Sequence, residues 1–318
     1  MSPLWQDEVA IGVAPGRIEL VRWSRGLKPV LAEAQVVLPA GTDEDTPAQM
    51  RPARQGASGA GEVADHRGSE RAGAGARWQN WGEAVAALAH ALSEPRWQRA
   101  RARVVISSHY TRFALVEGAA ELAREDERAA FVDLRLRAIY GERADDWQLA
   151  CTPFSGSGRA VACAIDRGLL EALRECTAAA RVSLASAQPY LVAAFNAAAD
   201  AVRGERVWFV AVEEGRIAMA AFAHDQWVGV HSEPVGRDVA ESIASMLAQD
   251  ALLREAADGE CRAYVCAPRW LGRLVAPGPG WTMHRVVQTV PETHAAIATG
   301  RVFDATEYPL TAATQRKA

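Results

Sequence analysis

Lysine is almost absent from this chain. Lys28 and Lys317 are the only two among 35 basic residues, and the rest are arginine. In a sequence so rich in alanine, that bias reads as genome composition rather than as a phosphate-reading surface. With a net charge of −4, nothing in the charge balance points to nucleic acid or to an anionic membrane. Cysteine is scarce too. Cys151, Cys163, Cys176, Cys261 and Cys266 contain no CxxC spacing. An odd number of thiols without a leader sequence implies reduced cysteines in a cytosol and excludes a disulfide framework. Cys261 and Cys266 fall within "CRAYVC" and read as small buried groups of one strand. Long apolar runs are missing as well. No stretch approaches the about 18 residues of a membrane-spanning helix, and "MSPLWQDEVA" has neither the basic region nor the apolar run of a signal peptide.

Residues 40–76 lack Leu, Ile, Phe, Trp and Tyr altogether. Such a segment cannot bury enough apolar surface to offset its ordering entropy, so it reads as a disordered, low-complexity insertion. An inert linker is the simpler reading and a regulatory peptide the other. Outside it, 318 residues with 49% hydrophobic content suffice for two domains with substantial cores.

What is present is a repetition. "VAPGRIELVRW" (13–23) and "VEEGRIAMAAF" (212–222) align without gaps at an offset of 199. Val13, Gly16, Arg17 and Ile18 recur as Val212, Gly215, Arg216 and Ile217, while Leu20 matches Met219 and Trp23 matches Phe222 in type. Each stretch sits in a predicted three-strand meander. The first has turns at Ala14-Pro15-Gly16 and "RGLKP"; the second has turns at Glu213-Glu214-Gly215 and His224-Asp225. Residues 9–38 and 206–234 are therefore expected to be equivalent units.

Helical periodicity follows each meander. "NWGEAVAALAHALSE", "GAAELAREDERAAFVDLRLRAIYG", "DRGLLEALRECTAAA" with Asp166 as N-cap, and "PYLVAAFNAAADAV" read as helices of the first half. "RVVISSHYTRFALV" and "RVSLASAQ" read as strands, and "DDWQLACTPF" with "GRAVACAI" as a hairpin around "SGSG". In the second half, "RDVAESIASMLAQDALLREAA" places Val239, Ile243, Met246 and Leu247 on one stripe, before the strand "CRAYVCAP". Two related halves, each a mixed sheet with flanking helices, are the pattern this predicts.

The second meander ends in "HSEPVGRDVAESIASML". This segment resembles the "PIGG-x-x-(I/V)-T-x-x-IA" stretch of actin-like ATPases of the cell-division and pilus-assembly branch. The shape is most similar to the PilM family, with the cytoplasmic part of GspL as a relative. Pro234, Val235 and Gly236 match its start, Arg237 stands in place of the second glycine, and Asp238, Val239 and Ile243 fit the positions after it. The resemblance implies an α/β, actin-like (duplicated ribonuclease-H-like) two-lobe fold of mixed sheets. Its first lobe would span 1–39 and 77–200 with an inserted subdomain, and its second 201–318.

The resemblance also implies a nucleotide cleft, in which two strand–turn–strand hairpins bring backbone N–H groups and a magnesium-binding carboxylate to the phosphates. Gly16, Glu213, Glu214, Gly215 and Gly236 are the matching positions here, and the segments that carry the nucleotide signals depart from what the chemistry wants. Pro15 removes a donor from the first turn, which carries no carboxylate. Glu213 and Glu214 crowd two negative charges into the second; at ~4 Å each opposes a phosphate by ~4 kcal/mol for an effective dielectric near 20. They read as a solvated turn, and as the retained metal position if there is one. Where the family seats adenosine on a glycine pair, this chain has Ala267-Pro268-Arg269. The expectation is a vestigial cleft, with no catalytic residue, no resident metal and no cofactor, ATP with Mg²⁺ being the only candidate.

Other site candidates read as structural. Ser108 and His109 are adjacent on an expected strand and point to opposite faces. "FSGSGR" has neither the lysine nor the following helix of a phosphate loop. "VAIGVA" has no carboxylate for a ribonuclease-H-type nuclease. The resemblance therefore implies a non-catalytic cytoplasmic scaffold of a type IV pilus or type II secretion-like machine. It would bind the cytoplasmic tail of an inner-membrane assembly protein and be recruited to the inner-membrane face without a span of its own. No nucleic-acid partner is expected, and self-association is compatible with this reading. The alternative is an active small-molecule kinase or ATPase of the same superfold. Ten tryptophans are compatible with apolar contact surfaces or with the core.

Overall fold

The computed structural model describes residues 7–24, 30–37, 81–118, 122, 124–152, 158–224, 226–236, 238–254, 260–268 and 271–286. The expected insertion at 40–76, most of the "SGSG" turn, Arg237 and Arg269 lie outside these residues. In the first half, the elements run β1 (Glu8–Ala14), β2 (Arg17–Ser24), β3 (Val30–Val37), α1 (Gly82–Leu92), β4 (Arg101–Ile106), β5 (Thr111–Glu117), α2 (Glu125–Tyr140), β6 (Trp147–Cys151), β7 (Arg159–Asp166), α3 (Arg167–Ala179), β8 (Ser183–Pro189) and α4 (Tyr190–Ala198). The second half continues with β9 (Arg206–Glu213), β10 (Arg216–Ala223), β11 (Gln226–Pro234), α5 (Val239–Leu253), β12 (Cys261–Cys266) and β13 (Trp281–Val286).

Two five-stranded sheets share one topology. Their orders are β3-β2-β1-β4-β8 and β11-β10-β9-β12-β13, in each case an antiparallel meander extended by two parallel strands. The repeat extends to register. Val13 pairs with Ile18 as Val212 pairs with Ile217, at the offset read from the sequence. Even the irregularities correspond, with the second hairpin of each meander slipping register between Arg22 and Trp23 and between Ala221 and Phe222. The central strands β1, β9 and β10 are buried on both faces, which explains their nearly continuous apolar sequences.

A third, three-stranded sheet, β5-β7-β6, carries α2 and a separate small core of Ala114, Val116, Val132, Leu136, Ala162 and Ala164. It corrects one expectation. "RVVISSHYTRFALV" is not one strand. It breaks at Ser107–Tyr110, so that β4 belongs to the first large sheet and β5 to the third. The strand β13 went unrecognised in the sequence, because "WTMHRV" mixes polar and apolar residues and none of them is fully buried.

The core joins the two halves. α4, apolar on nearly every side, packs on β8 and β4 of the first half and on β9 and β10 of the second, as a helix without a polar face must. Phe195 stacks on Phe222 at 4.8 Å between centroids and meets Phe209 edge-on at 5.4 Å. Trp227 closes the group at 4.4 Å from Phe222. The opposite face of the second sheet is covered by α5 through Ile243, Met246 and Leu247, the stripe expected from the sequence. Every described tryptophan is buried or half-buried, so this aromatic content is core.

Candidate functional site

The two corresponding hairpin turns define the candidate cleft. Gly16 and Gly215 both have positive φ, 69° and 72°. Pro15 fixes a negative φ before the first of them, which excludes the mirror-image hairpin turns and leaves a turn that needs glycine at its second central position. Glu214-Gly215 occupies the same place between Glu213 and Arg216 as Pro15-Gly16 does between Ala14 and Arg17.

The segment after β4 sits between these two tips. Ser107 donates its backbone N–H to the Val13 carbonyl at 2.9 Å, on the first hairpin. Ser108 donates its backbone N–H to Glu213 Oε2 at 2.8 Å, on the second. His109 Nε2 lies 2.9 Å from the Glu214 carbonyl; since a carbonyl only accepts, this nitrogen carries the proton. Within the segment, the Ser107 hydroxyl accepts from the His109 backbone N–H at 3.2 Å. Ser107, Ser108, His109 and Glu213 are all buried.

This geometry divides the expected solvated turn. Glu214 is exposed as anticipated, but Glu213 is only 3% exposed. Its carboxylate is turned across the boundary between the halves, where it accepts from the Ser108 N–H. The sequence could not reveal this, because the partner lies 105 residues away. Ser108 and His109 do not form a nucleophile–base pair. They lie in a turn rather than a strand, and the buried Ser108 hydroxyl has no hydrogen-bond partner among the described residues. Gly236 lies beyond β11, where a Cβ would meet only Ser242 Oγ at an ordinary 3.6 Å. Among the described residues, nothing in the packing requires a glycine there.

A second polar centre was missed. Asp250, on the buried stripe of α5, is 2% exposed. It accepts from Trp208 Nε1 at 2.7 Å and from Arg254 through Nε at 2.7 Å and Nη2 at 2.9 Å, while His231 Nε2 lies 2.8 Å away. Burial pushes the Asp250 carboxyl up, but the hydrogen bonds from His231, Arg254 and Trp208 outweigh it and hold the group well below the usual carboxylate range. The signal was available: a lone carboxylate at the spacing of Ile243, Met246 and Leu247. The thiols are structural. None of the five cysteines forms a disulfide, and burial pushes Cys151 and Cys176 up to about 11.

Two sheets of one topology, related by an internal repeat and meeting at paired hairpin tips, define an actin-like fold. Solved structures share it. The cytoplasmic domain of EpsL, an inner membrane component of the type II secretion system of Vibrio cholerae, is similar over 94% of this chain and 98% of its own, at 11% identity and a TM-score of 0.57. A chain of the PilM–PilN type IV pilus biogenesis complex is similar over 92% and 96%, at 13% identity and a TM-score of 0.57. A Bacteroides thetaiotaomicron protein described as having an actin-like ATPase fold covers 84% of this chain and 86% of its own, at 10% identity and a TM-score of 0.48. No family profile and no curated protein matches the sequence. Among the described residues, no helix is long and apolar enough to cross a membrane.

Proposed function

We propose that this chain is a non-catalytic scaffold of a type II secretion-like or type IV pilus-like assembly machine, recruited to the inner-membrane face by the cytoplasmic tail of a membrane partner. The observation that carries the reading is the engagement of Glu213 with the Ser108 N–H. In a nucleotide-hydrolysing relative of this architecture, the second hairpin presents its carboxylate to a metal and its N–H groups to phosphate. Here the carboxylate is already bound by the protein, and a phosphate brought to this tip would meet the charge of Glu213. The first tip lacks the donor that Pro15 removes. Likeness in fold to a secretion-system inner-membrane component and to a pilus-biogenesis complex supports the choice of machine.

The test is a pair of measurements. Mg-ATP at millimolar concentration is expected to leave the melting temperature unchanged, since a ligand at 100 times its dissociation constant would add ~2.7 kcal/mol and shift it visibly. Labelled peptides from the cytoplasmic tails of inner-membrane proteins encoded beside this chain are expected to bind, with one tail preferred. A magnesium-dependent ATP shift that vanishes in Glu213→Ala would overturn the reading in favour of a kinase or ATPase.

A further inference from the structure

At the end of the first sheet where β1, β4 and β8 begin, arginines from three segments of the chain come together. Arg99 follows the short turn Pro95–Trp97 and donates its backbone N–H to the Arg181 carbonyl at 3.0 Å. Arg181 lies between α3 and β8. Arg101 opens β4, donates its backbone N–H to the Asp7 carbonyl at 2.8 Å and is level with Ser183 of β8. Arg99 and Arg181 are exposed, and Arg101 is half-buried. This end of the sheet is opposite the hairpin tip at Pro15-Gly16, because β1 runs from Glu8 at one end to Ala14 at the other.

Two of these arginines stand where the backbone suits arginine badly. Arg99 and Arg181 are left-handed, with φ of 59° and 57°; among the described residues, His224 is the only other non-glycine with positive φ. Arg181 closes α3. Its N–H bonds to the Ala178 carbonyl at 2.9 Å and that of Val182 to the Thr177 carbonyl at 2.9 Å, a paired closure in which glycine ordinarily stands. A cation beside the carbonyl end of α3 is favourable, yet Arg99 and Arg101 add like charge at the same place. The acids nearby are engaged elsewhere. Asp7 pairs with Arg22 at 2.6 Å, Glu8 pairs with Arg103, and Glu33 and Glu94 both face Arg96. Among the described residues, Arg99, Arg101 and Arg181 have no ion-pair partner. The overall charge of −4 hides this local excess.

We infer that Arg99, Arg101 and Arg181 form a docking surface for the phosphate headgroups of an anionic phospholipid membrane. Guanidiniums bind phosphate oxygens through planar donor forks, and left-handed arginines at two adjacent turns are the kind of local strain that function retains. Nucleic acid fits this end less well, because Trp97, the aromatic nearest to Arg99 in sequence, is fully buried and offers no base a stacking surface. Three charges give weak, reversible adhesion, so the surface orients a protein already held at the membrane rather than anchoring it. The hairpin tip of the first half then points away from the bilayer. This extends the scaffold reading, on which it rests for the presence of a membrane; the test uses no tail peptide, so either can fail alone.

The test is co-sedimentation of the full chain with phosphatidylglycerol vesicles and with phosphatidylcholine vesicles at low ionic strength. Binding is expected to the anionic vesicles alone and to fall as potassium chloride is added. Arg99→Gly, Arg181→Gly and Arg101→Gln should each weaken it about fivefold. Both glycine variants should melt no lower than the wild type, because glycine is unstrained at these φ values, which separates lost binding from lost folding. Should a glycine variant fail to fold, Arg99→Gln and Arg181→Gln take its place. Arg135→Gln, which removes an exposed arginine of α2, should leave binding unchanged. No binding to either vesicle, equal binding to both, or an equal loss in Arg135→Gln overturns the inference. So does release by glycerol 3-phosphate at constant ionic strength, which would assign a free-phosphate site. Tighter binding to a single-stranded oligonucleotide, lost in the same variants, overturns it in favour of nucleic acid.

Discussion

Ser108 and Glu213 stand 105 residues apart in sequence, yet the backbone N–H of one meets the carboxylate of the other at 2.8 Å. The bond ties the end of β4 in the first half to the tip of the β9–β10 hairpin in the second. Glu213→Ala leaves a buried N–H without an acceptor, an expected loss of about 1–3 kcal/mol in urea denaturation. Glu213→Gln keeps an oxygen acceptor and should lose less. Equal losses in the two variants would show that the bond contributes little.

Asp250 predicts an acid-labile component of stability. Its folded-state pKa lies below its unfolded value, so the stabilisation is complete above the unfolded value, near 4, and is lost as pH falls through the folded one. Denaturant titrations from pH 6 to pH 2 should show wild-type stability falling more steeply below about pH 4 than that of Asp250→Asn. Parallel curves would assign the acid sensitivity elsewhere.

Gly229 lies under the same network. A Cβ there would collide with the Arg254 guanidinium while it holds Asp250 and the Val228 carbonyl. Gly229→Ala should therefore cost about 1–3 kcal/mol. In an Arg254→Ala background most of that cost should disappear, because the obstructing group is gone. The double-mutant cycle measures the coupling directly.

Phe195 is the fourth case. It touches Phe209, Phe222 and Trp227 from a helix that belongs to the first half. Phe195→Ala should destabilise by about 3–5 kcal/mol and lower a single unfolding transition. Two separated transitions would indicate halves that melt independently.

The parts of the fold that were legible in the sequence are those governed by local chemistry. Gly16 and Gly215 announced their turns because positive φ demands glycine, and the offset between them carried through to the matching slips at Arg22/Trp23 and Ala221/Phe222. Asp166 was recognisable as an N-cap and accepts from the Leu169 N–H at 3.1 Å. What stayed hidden depends on distant partners. "SSHY" is flanked by β-branched and apolar residues on both sides, so the passage from one sheet to another left little trace. "EEG" reads as a wet turn because nothing nearby says that Ser108 will cover its first glutamate.

The placement of α4 has a consequence for biosynthesis. The helix is complete once residue 198 has been made, but much of its apolar surface is covered by β9 and β10, which begin at Arg206 and end at Ala223. A chain that ends before Arg206 therefore holds the whole first half without the strands that shield Phe195. Such a chain presents an uncovered aromatic surface, the kind of exposure that recruits chaperones and favours aggregation. Released truncations ending near residue 204 should be insoluble, whereas those that include β9 to β11 give the same helix its cover.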